Sequence, residues 1–264
     1  MKKLLIVLAL LEAAGIAHAA TLDDIVQRGS LNVCLDPDGL PYSSESASSP
    51  GFLIDLSKKL AQDMGVRFNP IWLGSRERLS RTECDLVPNA IVSKAKLNEQ
   101  KDDLQPGKVS PTLLTQPYFH QQVLLVSQPK GQSWQTLADL QKISVAVPSA
   151  TWGHMQLNTY HVPVLVRFLT DEAIVKAVAD GEAEAGIVSA TGYSWYSKTY
   201  SQKFQTQRDI IKELDLEFDV GMTLRKTDVA MLNKIDGLLA SYQTSGVFAE
   251  LMKPYGLIWI KPSF

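Results

Sequence analysis

The chain has 264 residues, 45% of them hydrophobic and 20% charged, with 26 Lys and Arg against 28 Asp and Glu for a net charge of −2. That mixture can bury a core, which excludes wholesale disorder, and its near-neutral balance excludes the basic face of a nucleic-acid binder. The length suits one large domain or two small ones.

The first segment reads as an export signal. Met1-Lys2-Lys3 is a basic head, Leu4 to Leu11 is an unbroken apolar run, and Ala17-His18-Ala19 has the small-x-small pattern that precedes a cut. The run is too short to span a bilayer. Residues 1–19 are therefore expected to be a signal peptide removed after Ala19, leaving a periplasmic protein. Export places Cys34 and Cys84 in an oxidising space.

From there strands and helices alternate, which predicts an α/β protein with parallel sheets. Leu31 to Leu35 is a compact apolar strand ending in the turn Asp36-Pro37-Asp38-Gly39. Leu53, Leu56, Leu60 and Met64 fall at helical spacing, with Gly65 as the stop. Val66 to Leu73 alternates like a strand, and Pro70 assigns it to a sheet edge. Leu86 to Ala90 is a further strand, and Gln122 to Val126 is extended. A second series follows: a short helix at Leu137 and Leu140, a strand at Ile143–Val147, and a helix capped by Thr170 and stopped by Gly181. Ala185 to Val188 is the next strand, Phe218 to Leu224 is extended, and Val229 to Leu239 marks a long helix broken by Gly246. Segments near 120–126 and 218–225 are placed to run side by side as a two-segment hinge. A cleft at the C-terminal ends of the strands is where open α/β folds bind ligands.

The cysteines pull in two directions. If Val33 pairs near Val87, Cys34 and Cys84 are offset by several residues at about 3.3 Å each, whereas a disulfide needs Cα atoms within roughly 7 Å. Export favours the bond and this register disfavours it, so a disulfide and two buried thiols both stand.

Several motifs occur together in one order. They are Leu31-Asn32-Val33-Cys34 with Leu40-Pro41-Tyr42-Ser43, Gly51-Phe52-Leu53-Ile54-Asp55-Leu56, Cys84-Asp85-Leu86-Val87, Pro117-Tyr118-Phe119 before Val123 to Val126, Thr136 to Leu140, and Met222 to Asp228. On these residues the chain resembles the periplasmic solute-binding proteins of family 3, the type II two-lobed binders of ABC importers. The paired cysteines, with Ala177 to Glu182 and Phe218 to Met222, are also similar to the subgroup associated with quinoprotein alcohol dehydrogenases. The resemblance implies a type II periplasmic binding protein fold. Lobe 1 would span 20–119, lobe 2 120–225, and the return to lobe 1 with the C-terminal helices 226–264. It implies a monomer that captures a small polar solute for an ABC permease. The alternative is an accessory protein of a periplasmic quinoprotein dehydrogenase or its cytochrome. A dehydratase-like enzyme ranks third, because the lobe 2 position that would carry its acid holds Ser189.

Family members hold amino-acid zwitterions with an Arg and an Asp, since charges taken from water must be paired again. Here the Arg position reads Lys96, a point charge without a bidentate fork, and the Asp position reads Ser189, so an amino-acid ligand is disfavoured. The remaining candidates for the cleft are Asp36, Tyr42, Phe52, Trp72, Asn89, Ser93, Ser149, Thr151, Trp152 and Tyr193. No catalytic residue, metal site or cofactor is expected. His120, His154 and His161 show no ligand spacing. The alternating acids Glu213, Asp215, Glu217 and Asp219 share one strand face, read as a solvated face over a calcium site for want of the turn and carbonyl ligands.

Overall fold

Helix boundaries follow local capping chemistry. Thr21 closes a capping box with Asp24 to start α1 (Leu22–Arg28), and Gly29 ends it in the left-handed region. The computed structural model describes residues 21–46, 48, 50–73, 82–129, 134–199, 203–208, 214 and 216–264. The expected signal segment lies outside these, as do Glu213 and Asp215. Among the described residues no helix is long and apolar enough to cross a membrane.

Lobe 1 begins with β1 (Ser30–Leu35), the small hairpin β2 (Asp38–Gly39) and β3 (Ser43–Ser44), α2 (Phe52–Asp63), β4 (Arg67–Trp72) and β5 (Leu86–Val92). It continues through α3 (Lys94–Glu99), β6 (Ser110–Leu114) and β7 (Phe119–Gln121). Lobe 2 holds β8 (Val123–Ser127), α4 (Leu137–Leu140), β9 (Val145–Ala146), α5 (Trp152–Thr159), β10 (Val164–Leu165), α6 (Asp171–Ala179), β11 (Ala185–Ser189), α7 (Ala190–Tyr196) and β12 (Gln205–Gln207). The chain then returns as β13 (Phe218–Thr227), α8 (Val229–Ser245) and α9 (Val247–Met252).

Two sheets result, one per lobe. The first has strand order β4-β1-β5-β13-β6, with β7 also paired to β13; the second has order β10-β9-β11-β8-β12. Both are mixed rather than purely parallel: β13 runs antiparallel to β5, β6 and β7, and β8 runs antiparallel to β11 and β12. Chains that leave a lobe and come back must reverse direction, which a pattern of alternating elements does not reveal. β4 is the edge strand, and Pro70, with no N–H to donate, sits there opposite Val33. Apolar faces of α2, α8 and α9 pack with β1, β5 and β13 into one core that includes Leu31, Leu56, Leu86, Met222 and Ile235.

The lobe boundary differs from the one expected. Residues 218–225 belong to the first sheet, because Asp219 to Leu224 pair with β5 and Thr223 onward with β6. Lobe 2 therefore gives way to the first sheet at Phe218, before residue 226. At the crossover, Phe218 pairs with Gln121, Asp219 with His120 and Val220 with Phe119, so the two connecting segments lie against each other.

The two described acids of that run, Glu217 and Asp219, do not form a solvated face. Asp219 is 3% exposed. Its carboxylate lies 2.8 Å from His120 Nδ1 and accepts from the Ser263 amide and hydroxyl, while Glu217 lies 3.1 Å from His120 Nε2 and pairs with Arg208. Central pairing of β13 turns this face inward. Burial alone would lower the His120 pKa, but its contacts with Asp219 and Glu217 outweigh that and raise it. Among the described residues no group of three His, Cys, Asp or Glu side chains is arranged to hold a metal ion.

Cys34 and Cys84 are joined in a disulfide with Cα atoms 5.5 Å apart. The register argument fails because Cys84 precedes the ladder. β5 begins at Leu86, opposite Val33, and the segment before it folds back along β1. There the Asn32 side chain donates to Glu83 O at 3.1 Å, and the Asn32 amide donates to the Asp85 carboxylate at 2.8 Å. Asp85 also pairs with Arg28, yet its burial dominates and pushes its carboxyl up to about 6.

Candidate functional site

The C-terminal ends of the strands of both lobes face a shared groove. From lobe 1, the loop after β2 brings Tyr42 to the groove. Gly51 holds that loop against the start of α2. It has φ of +96°, and a Cβ there would lie 2.7 Å from Ser43 Cα, so only glycine fits. The Tyr42 ring rests on Phe52 with centroids 5.5 Å apart. Its hydroxyl lies 2.9 Å from Gln121 Oε1 and 2.9 Å from Ser189 Oγ, and it also contacts the Thr191 hydroxyl. One phenol thus bridges lobe 1, the crossover and lobe 2. Burial, followed by the negative charge of Asp171, raises the Tyr42 pKa and keeps the phenol neutral.

From lobe 2, Thr151 caps α5 by accepting from the His154 amide and donates its own hydroxyl to Pro148 O at 2.7 Å. Ser189 caps α7 by accepting from the Gly192 amide at 2.9 Å, and donates to Asp171 Oδ2. Asp171 is the first residue of α6, which Thr170 caps. Gly192 makes room for it: a Cβ at that position would lie 2.7 Å from Asp171 Cβ and Cγ. Burial pushes the Asp171 carboxyl up to about 6 despite the bond from Ser189.

These groups enclose a cavity of about 160 Å³ between the lobes. Its polar lining comes from Tyr42, Asn89, Gln121, Thr151, Asp171 and Ser189, and its apolar walls include Trp152, Ile187 and Phe218. A second cavity of about 280 Å³ adjoins it on the lobe 1 side, sharing Tyr42 and Asn89 and lined also by Asp36, Ser43 and Val87. Further contacts cross the groove: Tyr196 donates to Leu40 O at 2.6 Å, and the Trp195 and Tyr255 rings lie 6.0 Å apart.

Of the expected cleft residues, Tyr42, Asn89, Thr151, Trp152 and Ser189 meet at the interlobe cavity, and Asp36 reaches the adjoining one. The others lie elsewhere. Phe52 is 3% exposed in the lobe 1 core, because its place at the start of α2 turns it inward. Trp72 ends edge strand β4 and packs on that core. Ser93 caps α3, and Lys96 is exposed and folds back to donate to Ile91 O at 3.1 Å, and neither lines these two cavities. Ser149 is exposed outside the lining, and Tyr193 packs against Phe204 on the far side of α7. Sequence reasoning missed Gln121, Phe218 and Asp171. The first two carry no signal beyond their place in the crossing segments. An Asp in the first turn of a helix satisfies the helix by itself, so nothing singles out Asp171. The groove therefore does hold a carboxylate in lobe 2, supplied by α6 instead of the strand end at Ser189.

Among the described residues that line the interlobe cavity there is no His, Cys or Lys to form a nucleophile–base pair, and Cys34, which lines the adjoining one, is bonded to Cys84. The arrangement is an apolar cavity studded with polar groups and walled by both lobes, as a binding site is.

No curated protein sequence matches the chain. Solved structures share its fold. An amino acid ABC transporter substrate-binding protein from Streptococcus pneumoniae, bound to L-arginine, aligns with a TM-score of 0.70 at 17% identity, covering 92% of this chain and 100% of that one. A mutant of ArgBP from T. maritima aligns with a TM-score of 0.68 at 20% identity over 89% and 98%. The ancestral amino acid-binding protein AncCDT-1, a precursor of cyclohexadienyl dehydratase, aligns with a TM-score of 0.69 at 20% identity over 89% and 98%. The sequence pattern of one family matches residues 31–258, nearly all of the chain the structure describes, and on that match this protein belongs to the bacterial extracellular solute-binding proteins, family 3.

Proposed function

We propose that this protein captures a small solute between its lobes in the periplasm and presents the closed form to an ABC permease. The observation that carries the reading is a chamber walled by both lobes and bridged at Tyr42 to Gln121 and Ser189. Binding energy comes from burying the solute's apolar surface and pairing its polar groups. A solute that touches both walls favours the closed state over the open one, and a partner that recognises the closed state reads that shift. Residues 119–121 and 218–220 are the hinge in this reading, since they are the paired segments between the sheets. No bond in the solute changes, and the protein acts as a monomer.

The fold neighbours include a protein bound to L-arginine, which makes a nitrogen-bearing solute a natural member of the test panel. A thermal-shift screen of sugars, alcohols, amines, organic acids and amino acids identifies ligands, and a ligand at 100-fold over its Kd adds about 2.7 kcal/mol of stability. X-ray scattering with the tightest ligand is then expected to show a smaller radius of gyration than without it. An unchanged radius sinks the two-lobe closure.

A further inference from the structure

The interlobe chamber has an electrostatic sign. Among the described residues that line it, Asp171 is the charged one, and no Lys, Arg or His accompanies it. The adjoining cavity repeats the pattern with Asp36. At the rim, burial first, and then the charges of Glu172, Asp171, Asp38 and Asp36, push the Tyr196 hydroxyl up. Acids from both lobes therefore act on one hydroxyl, two from the lobe 1 turn and two from the start of α6.

A carboxylate brought into this chamber would lose its water, meet no cation among the described lining residues and lie close to Asp171; both effects oppose it. A cation reverses both, because it gains a counter-ion and is drawn inward by the acidic rim. The aromatic residues Tyr42, Trp152 and Phe218 line the same space, and aromatic ring faces attract cations. We propose that the chamber selects a small organic cation without a carboxylate, a protonated amine or a quaternary ammonium, with Asp171 as its counter-ion. This rests on the solute-capture reading and adds the class of solute.

The connections of Asp171 suit the role. Ser189 donates to Oδ2 and fixes the carboxylate's orientation, Gly192 allows the close approach, and the Tyr42 hydroxyl completes a chain to the opposite lobe. The groups within electrostatic reach of it are Tyr42 from the lobe 1 loop and Tyr196 from α7, with Glu172 next to it on its own helix, and Asp36 and Asp38 act on the same Tyr196. All are acids, so none supplies a counter-charge. With its carboxyl near 6, Asp171 is ionised at neutral pH while an aliphatic amine remains protonated. Amine affinity is therefore expected to rise as pH climbs toward 6 and to level off above it.

The test is calorimetric titration of the purified protein near neutral pH with two matched sets. One is butylamine, butanol, butyrate and α-aminobutyrate; the other is benzylamine, benzyl alcohol, benzoate and phenylglycine. In at least one set the amine is expected to bind at least about tenfold more tightly than its neutral, anionic and zwitterionic partners. That preference is expected to fade below about pH 6 and to vanish in Asp171→Asn. Thermal melting of the unliganded Asp171→Asn variant, unchanged or raised, shows that the variant is folded. An acid or amino acid that binds as tightly as its amine overturns the proposal, as does an amine preference that survives Asp171→Asn. Silence of both amines at millimolar concentration overturns it too. Where an acid or zwitterion binds and shrinks the scattering radius, solute capture stands and only the cation assignment falls. Where nothing in these sets or the wider panel changes the radius, solute capture falls as well.

Discussion

Lobe 1 and lobe 2 build the same layered plan from unequal material. In lobe 1 the strands β1, β4, β5 and β13 run 6 to 10 residues, over one continuous core, with a disulfide tying β1 to the lead-in of β5. In lobe 2, β9 and β10 have 2 residues each, and the apolar side chains divide into two smaller clusters. Glycines allow close packing in lobe 2, where a Cβ on Gly153 would meet Ile187 Cγ2 at 3.1 Å and Gly186 lies against Ile174, as Gly51 does in lobe 1. The charged group of the chamber is also in lobe 2, held by side-chain bonds at a helix start. Lobe 1 thus supplies the longer ladders, and in the proposed reading lobe 2 supplies the charge that discriminates between solutes. Long ladders distribute stability over many backbone bonds, whereas a side-chain network holds a charge in place only where its partners are satisfied.

The largest test of that contrast is the disulfide. It closes a loop across a sequence separation of 50 residues, for which chain entropy gives a stabilisation of about 4 kcal/mol. Replacing Cys34 and Cys84 by Ser is expected to lower denaturant stability by that order, read from the unfolding midpoint. A loss below about 1 kcal/mol would deny lobe 1 its special rigidity.

Next comes the cost of the half-buried acid in lobe 2. The folded pKa of Asp171 is raised from 3.8 to about 6. Its contribution to stability is therefore fully present below 3.8 and lost as pH rises through 6. Asp171→Asn is expected to stabilise the unliganded protein at neutral pH by about 2 kcal/mol and to flatten this part of the pH profile. A profile unchanged by the substitution would place the acid in solvent and break the comparison.

A smaller effect belongs to the bridge between the lobes. Tyr42→Phe keeps the ring contact with Phe52 and removes the hydroxyl that meets Gln121, Ser189 and Thr191. Its expected cost is about 1 kcal/mol in closure. Scattering should then show a larger radius without ligand, and ligand affinity should fall roughly fivefold. Equal radii for the two proteins would mean that the phenol does not hold the lobes together.

The smallest effect is at the crossover. The raised pKa of His120 means that its ion pairs stabilise fully below its unfolded value of about 6.5 and fade as pH rises through the higher folded value. His120→Gln is expected to remove that alkaline decline. An NMR titration of the imidazole that places its pKa below 6.5 would reverse the sign and refute the assignment.

Much of the fold was legible from the chain alone. Hydrophobic spacing and caps such as Thr170, Gly65 and Gly246 act over a few residues, so α2, α6 and α8 could be placed from local pattern. Cleft residues on loops after strands, such as Tyr42, Asn89, Thr151 and Ser189, follow from where open sheets bind. The same loop rule over-reached at Phe52 and Trp72, since an aromatic next to a loop is drawn to the core by its apolar area. Three things were decided only by tertiary structure: the sheet that β13 joins, the closure of Cys34 on Cys84, and the arrival of Asp171 beside Ser189. Each depends on pairing between residues distant along the chain, and the packing energy that selects such pairs leaves no mark in the neighbouring sequence.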